Sequence, residues 1–392
     1  MRPTISNERG SAILISLALI LMLSTIGIMA VKRSVTDVDL SFNKVRTDQA
    51  FQLAEAGLAR SIAELKTDES WRTGYAGESL GSGKYWVAVL DSSSGLTSGD
   101  TVVLQAAGRS NGAPGSSVDL EVWLVPAYLD PFKYGVYGLD SLRFDNNSCS
   151  DAYNSDSGTY ASTWDSLGGN VGTNGVMSLR NGTTIGGNAV IGSGGSIDTF
   201  NNTVILGDVI TDQPPEYLDG IPESAFTWAE SNNTAPAGLS GTNFTYDPVT
   251  HDLVGVEGAV ITLSDGVYFF NDIDLASTSQ FIVDSGADVM IFMTGDFFAG
   301  SGTQINIAGD PPDLQFFSNG DSLTVDPSTE FHGAFYGPNA HFLIHQNNSL
   351  FGSIVSKTSH LNENSCIHFD RALLALTSPI VLGFDMVAWR EL

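Results

Sequence analysis

Residues 11–31 carry no charged side chain, and from 34 to 66 the chain has no proline and one glycine, Gly57. As a helix the uncharged run would be on the order of 32 Å long, enough to cross the hydrocarbon core of a bilayer. A secretory signal has a shorter apolar region and a small-residue cleavage site. Here the run is longer and Ile28-Met29-Ala30 fits such a site poorly, so the segment is expected to stay with the protein. Arg2 and Arg9 precede it, while Lys32, Arg33, Lys44 and Arg46 follow. Counting basic residues therefore gives no support for an exported body.

The helical pattern continues past the apolar run. Val35, Val38, Phe42 and Val45 make one stripe, and Phe51, Ala54, Leu58, Ile62 and Leu65 make another at three- and four-residue steps. A continuous helix over 11–66 would be about 80 Å long, with a first half apolar all round and an amphipathic second half. The second half needs a partner. Residues 67–126 supply one, because 84–90, 101–107 and 118–125 read as strands separated by Gly- and Ser-rich turns. A small antiparallel sheet on an amphipathic helix is an α+β module.

From 127 to 392 the pattern changes. Short apolar segments such as 176–179, 189–191, 203–206, 259–263, 280–283, 304–307, 330–335 and 349–355 recur at spacings near ten between Asn, Gly and Ser turns. No helical segment is evident between them. Residues 211–250, with Pro214, Pro215, Pro222, Pro236 and Pro248, are expected to be an irregular interruption. This predicts an all-β head, read as a β-solenoid, with Asn147, Asn181, Asn201, Asn347 and Asn362 stacking in ladders between coils.

The chain has a formal net charge of −27, and no Lys or Arg occurs between Asn181 and Ser356. Such a surface repels phosphate backbones, which argues against nucleic-acid binding, and it suits an exported, non-sticky body. Two cysteines are present. In an exported chain an even pair suggests one disulfide, and Cys149 and Cys366 share the context Asn-Ser-Cys.

Two stretches taken together resemble a known family. Glu8-Arg9-Gly10-Ser11 runs directly into the apolar helix, and Ala50-Phe51-Gln52-Leu53-Ala54-Glu55-Ala56 follows forty residues later. Over residues 5–66 the chain resembles the N-terminal region of type IV minor pilins of the PilX type. The resemblance implies a leader, 1–10, cut by a prepilin peptidase between Gly10 and Ser11, where glycine lets the backbone approach closely. It also implies that the helix, with Ile15, Phe51 and Glu55 among its assembly positions, rests in the inner membrane before packing among other pilins in an extracellular filament. Pilins usually carry glutamate at the fifth mature position, where it offsets a neighbour's terminal amine. Here that position is Ile15, which points to the tip or to priming rather than to the shaft. Cys366-Ile367-His368-Phe369-Asp370-Arg371-Ala372-Leu373 and the segment 331–340 are similar to an uncharacterised β-solenoid domain often joined to such N-termini. In that domain His368 and Asp370 are expected to make structural hydrogen bonds.

Other chemistry is thinly marked. His341, His345, His360, His368 and Cys366 lie close in sequence but match no zinc spacing. On a strand with Phe342 and Ile344 inward, His341 and His345 face solvent. Asp272, Asp274, Asp310 and Asp313 offer calcium oxygen ligands without a calcium-loop pattern, so no metal or cofactor is expected, calcium being the weak exception. No catalytic residue is assigned. The expected function is a non-enzymatic minor pilin with a head for adhesion or surface contact to an unidentified ligand. The alternative is a membrane-anchored, polysaccharide-active enzyme.

Overall fold

The computed structural model describes residues 9–68, 70–92, 100–111, 115–376, 378 and 380–392, with side chains from residue 13. Two compact units form: residues up to Ala127 together with Gly383–Leu392, and residues Tyr128–Leu382.

The first unit is built on the helix Arg9–Thr67. It packs on a five-stranded sheet ordered Tyr75–Leu80, Gly83–Leu90, Val102–Ser110, Ser117–Tyr128 and Val381–Glu391. The first four strands pair antiparallel in chain order. A two-residue turn joins Leu80 to Gly83, and Gly81 occupies the left-handed region there (φ 56°), where a side chain is disfavoured. Ala50, Leu53, Ala54, Leu58 and Leu65 are buried against Val87, Leu104, Leu120 and Val122. Small residues set how closely the layers meet. A Cβ on Gly108 would collide with the Ala50 carbonyl oxygen and the Ala54 amide nitrogen, and one on Gly57 would lie 2.8 Å from the Tyr85 ring.

Three sheet strands are those the sequence predicts; the outer two are not. Tyr75–Leu80 is largely exposed and shows no apolar alternation. Val381–Glu391 was expected within a head running to 392, yet Gly383–Leu392 belongs to the first unit. The head is thus an insertion between two strands of one sheet. The last strand is fixed by Glu121, which is buried and accepts hydrogen bonds from Trp123 Nε1 (2.8 Å), Gln105 Nε2 (2.8 Å) and Arg390 Nε (2.8 Å). Those bonds, Trp123's first, hold the Glu121 carboxyl below the usual value of 4.5. Because the folded value is depressed, its stabilisation is present above pH 4.5 and is lost as pH falls through the lower folded value. The protection of residues 383–391 against amide exchange, taken relative to the unstructured rate at the same pH, should therefore fall as pH drops below 4.5 in the wild type. Glu121→Gln should already show the reduced protection at neutral pH.

The second unit is a mostly-β head whose strands pair in parallel, each with a strand about one layer of chain further on, except that Leu239–Tyr246 pairs antiparallel with Leu253–Leu263. One corner shows how the layers stack. Gly258, Thr278, Gly302, Ser328, Asn347, Asn364, Asn147, Gly182 and Asn202 all have positive φ, between 57° and 75°. They form one column in that spatial order, as the flanking registers require. Each N–H from Gly258 to Gly182 in the column donates to the carbonyl one residue before its neighbour, as Asn147 does to Asn181 (3.0 Å) and Asn364 to Asn146 (3.0 Å). Gly and Asn are suited to this conformation, and the pairing leaves the turn amides satisfied. The next residue in each layer is small, and most are Ser, Thr or Asn: Ser279, Thr303, Thr329, Asn348, Ser365, Ser148 and Thr183 are buried and bond to carbonyls inside the corner. Two positions further, Phe281, Ile305, Phe331, Leu350, Ile367 and Ile185 point into the main core.

The spatial order differs from the chain order. The head's first layer, Val136–Phe144 and Cys149–Tyr153, lies inside the stack. On one side it pairs with Val171–Thr173 and Val176–Leu179, from which the chain builds outward to Val209–Gln213. The chain then passes to the opposite end at Leu253–Leu263 and returns layer by layer until Ser349–Leu361 and Cys366–Asp370 pair with the other side of the first layer. The expected irregular interruption, 211–250, instead holds a helix, Glu223–Ser231, and the strand Leu239–Tyr246. Phe226 and Ala229 of that helix join a second core with Phe292, Phe317 and Tyr336. The asparagine ladder is also redrawn. Asn147 and Asn347 are in the column, but Asn364 and Asn202 take the places expected for Asn362 and Asn201, while Asn181 and Asn201 contribute carbonyls.

Candidate functional site

The N-terminal helix changes character at Ala50. Every side chain described from Ile13 to Val45 is exposed, including Ile15 (63%), Val35, Val38, Phe42 and Val45. From Ala50 onward one face is covered by the sheet. By length and composition this helix can cross a membrane. Gly10 and Ser11 lie within the helix, and leader positions 1–8 fall outside the described residues. Phe51 is half-buried with its ring 6.3 Å from that of Trp389 on the last strand, and Glu55 is exposed. The small residues at 50, 54 and 57 are explained by the tight approach of Gly108 and Tyr85.

In the head, Cys149 and Cys366 sit directly opposite each other across parallel strands and form a disulfide, with Cα atoms 4.5 Å apart. It lies where the first layer meets the last. The same seam holds Asn146 Nδ2 to Glu363 Oε1 (3.0 Å), Asn147 Nδ2 to Asn364 Oδ1 (3.3 Å) and Ser148 Oγ to the Asn362 carbonyl (2.9 Å). Two histidines flank it: His360 Nε2 lies 2.9 Å from Asp145 Oδ2, and His368 Nδ1 lies 2.7 Å from Asp151 Oδ1. Asp151 also accepts from Tyr160 Oη (2.8 Å) and Trp164 Nε1 (3.0 Å). Asp370 is fully buried and accepts from the backbone N–H groups of Ser155 (3.0 Å) and Ala372 (3.1 Å), and burial raises its carboxyl pKa. His368 and Asp370 thus hold chain segments together.

The remaining histidines stay apart from one another. Phe342 and Ile344 are buried, His341 is exposed with Nδ1 2.8 Å from Thr358 Oγ1, and His345 faces Asp326 at 3.7 Å. Among the described residues no group of three or more His, Cys, Asp or Glu side chains is placed to hold a metal ion. Several of the acidic residues serve the layers instead. Asp272 Oδ1 accepts the N–H of Asp296 (2.7 Å), and Asp296 Oδ1 accepts that of Ser322 (3.0 Å). Asp310 and Asp313 form a reciprocal capping box around one short turn, Pro311–Asp313.

Sequence reasoning passed over one concave site. Tyr134, Tyr137, Glu216 and Tyr217 line a trough on the head, assembled from two segments far apart in the chain. A lone tyrosine carries no pattern that marks such a place beforehand.

The chain is thus a two-unit protein: a helix long and apolar enough to cross a membrane leads into a small antiparallel sheet, and a disulfide-closed, mostly-β head forms the second unit. Residues 218–376 match a family described only as a domain of unknown function (DUF7305), a span that contains the 331–340 and 366–373 segments. No curated protein matches the chain. Among solved structures, the competence-associated pilin ComZ from Thermus thermophilus is 12% identical with a TM-score of 0.22, covering 88% of this chain and 97% of its own. An ice-binding protein from the Antarctic ascomycete Antarctomyces psychrotrophicus is 12% identical with a TM-score of 0.33, covering 60% and 94%. The ice-binding protein domain of Shewanella frigidimarina is 13% identical with a TM-score of 0.31, covering 63% and 98%. Likenesses this loose carry no argument about this chain.

Proposed function

We propose that this chain is a non-catalytic minor pilin-like subunit of a type IV pilus system, acting at the tip or in assembly priming, with a β-solenoid head that makes surface contact. The observation that carries this reading is the division of the helix at Ala50. A 33-residue stretch, from Ile13 to Val45, exposes apolar side chains along its length, while the next turns are buried by the chain's own sheet. In water such a surface is unfavourable, so it calls for lipid first and neighbouring helices afterwards. The stripe Val35, Val38, Phe42 and Val45 lies beyond the uncharged run and suits helix packing in a filament. Ile15 supports the tip or priming position, because a shaft subunit lacking the usual carboxylate would leave its neighbour's amine unpaired among apolar helices. In this reading the partners are the prepilin peptidase, other pilins and the inner membrane. The head would lie in the periplasm and then outside the cell.

Gly10→Ala is the direct test in the native host. The expected result is a protein that keeps the mass of the uncut chain, stays in the membrane fraction and is missing from sheared filaments. Normal maturation of Gly10→Ala would overturn the reading.

A further inference from the structure

We propose that the tyrosine-lined trough of the head binds a neutral oligosaccharide. The inference rests on the reading of the head as the contact-making part and names the class of ligand it would take.

The trough consists of two adjoining cavities of about 190 and 180 Å³ that share Tyr134, Tyr137 and Glu216 as a common wall. The Tyr134 and Tyr137 rings lie 5.1 Å apart, and Tyr217 stands 81% exposed on the rim. The segment that carries Tyr217 is held on both sides. Asn174 Nδ2 donates to the Glu216 carbonyl (2.6 Å), the Glu216 N–H donates back to Asn174 Oδ1 (3.0 Å), and Tyr336 Oη donates to the Asp219 carbonyl (2.6 Å). Tyr137 Oη also donates to Asn174 Oδ1 (2.7 Å). Pro214 and Pro215 stiffen the approach to it. Tyr217 is therefore presented in advance by a fixed scaffold, which lowers the ordering cost of binding.

The chemistry of the lining selects the ligand. Tyrosine rings offer flat apolar faces with polar edges, matching the C–H faces and equatorial hydroxyls of a pyranose. Glu216 and Gln213 supply acceptors and donors at the rim for those hydroxyls. Tyr137 is buried, so Tyr134 and Tyr217 are the rings open to a ligand, and two such rings suit consecutive units of one chain better than a single small cation. Anionic polymers are disfavoured: Lys133 is the one basic residue among the lining residues, it lies 3.6 Å from Glu216, and no Lys or Arg occurs between Asn181 and Ser356.

The test uses the full-length protein in a detergent without a sugar headgroup, probed with cellotetraose, chitotetraose and maltotetraose by saturation-transfer NMR and calorimetric titration. At least one probe should receive saturation. Tyr217→Ala should weaken its binding at least tenfold with an unchanged melting temperature, since the ring is exposed. Tyr134→Phe, which keeps the ring face, should retain most of the affinity. The proposal fails if no neutral probe binds, if binding survives Tyr217→Ala together with Tyr134→Ala, or if a proline-rich peptide or choline occupies the trough in their place. Cleavage of a bound probe would overturn the passive-contact role and favour the enzyme reading. Binding is measured on purified protein. Its loss with filament incorporation intact ends this proposal alone, and blocked incorporation with binding intact ends the assembly reading alone.

Discussion

Gly108→Val should dismantle the first unit. The glycine faces the helix where the strand Val102–Ser110 passes Ala50 and Ala54, and a β-carbon there meets helix backbone, which cannot swing aside as a side chain can. The layers must separate, and that withdraws Leu53, Leu58, Leu104 and Leu120 from a contact that now excludes water. Overpacking of this kind costs about 3 kcal/mol, and against backbone the cost lies at or above that figure. The expected readouts are rapid tryptic cleavage after Lys66 and Arg109 and a first-unit melting temperature lower by about 10 °C. The head, a separate compact unit, should keep its own transition. Wild-type protease resistance in Gly108→Val would refute the helix–sheet packing described above.

The paired substitution Cys149→Ser with Cys366→Ser should produce the other large effect. The bond joins positions 217 residues apart, and it does so at the one seam where the chain's first head layer meets its last. In the chain-entropy account a loop of that length is worth about 5 kcal/mol, and measured disulfides typically deliver about 2–4 kcal/mol. For a unit of this size the head's melting temperature should fall by about 10 °C, and dithiothreitol should lower the wild type to the same value. The Asn146–Glu363, His360–Asp145 and His368–Asp151 contacts remain, so the head should still fold. A head whose melting point ignores both treatments would show that the hydrogen-bonded seam suffices alone.

What the chain discloses beforehand depends on whether the signal is local. The helix was legible because the absence of charge and proline over a long run is local, and so were the central sheet strands with their alternating Val and Leu. The cysteine pairing was legible from two copies of Asn-Ser-Cys. The same resemblance was the edge of a wider repeat that went unread. An apolar residue, a left-handed Gly, Asn, Ser or Thr, a small polar residue and an inward apolar residue recur around 258, 278, 302, 328, 347, 364, 147, 182 and 202. In chain order the spacing from one to the next varies from 17 residues (347 to 364) to 56 (202 to 258), so no fixed period betrays it. The last strand was missed for another reason. Val381–Glu391 finds its place through Glu121 and Arg390, a pairing 269 residues apart that no local pattern records. The helix Glu223–Ser231 was hidden among prolines that in fact bound it, with Pro222 at its start. The tyrosine trough is likewise a product of topology, since Tyr134 and Tyr217 lie far apart in the chain and line one cavity.

The central claim is that Ser11, not Met1, begins the working protein and that the exposed helix ends up among other pilins. Intact-mass and N-terminal peptide analysis of the chain recovered from sheared surface filaments of the native host tests it most directly. The account predicts a mature chain starting at Ser11 and present in substoichiometric amount relative to the major filament subunit. A chain that retains residues 1–10 and stays wholly in the membrane fraction would contradict it.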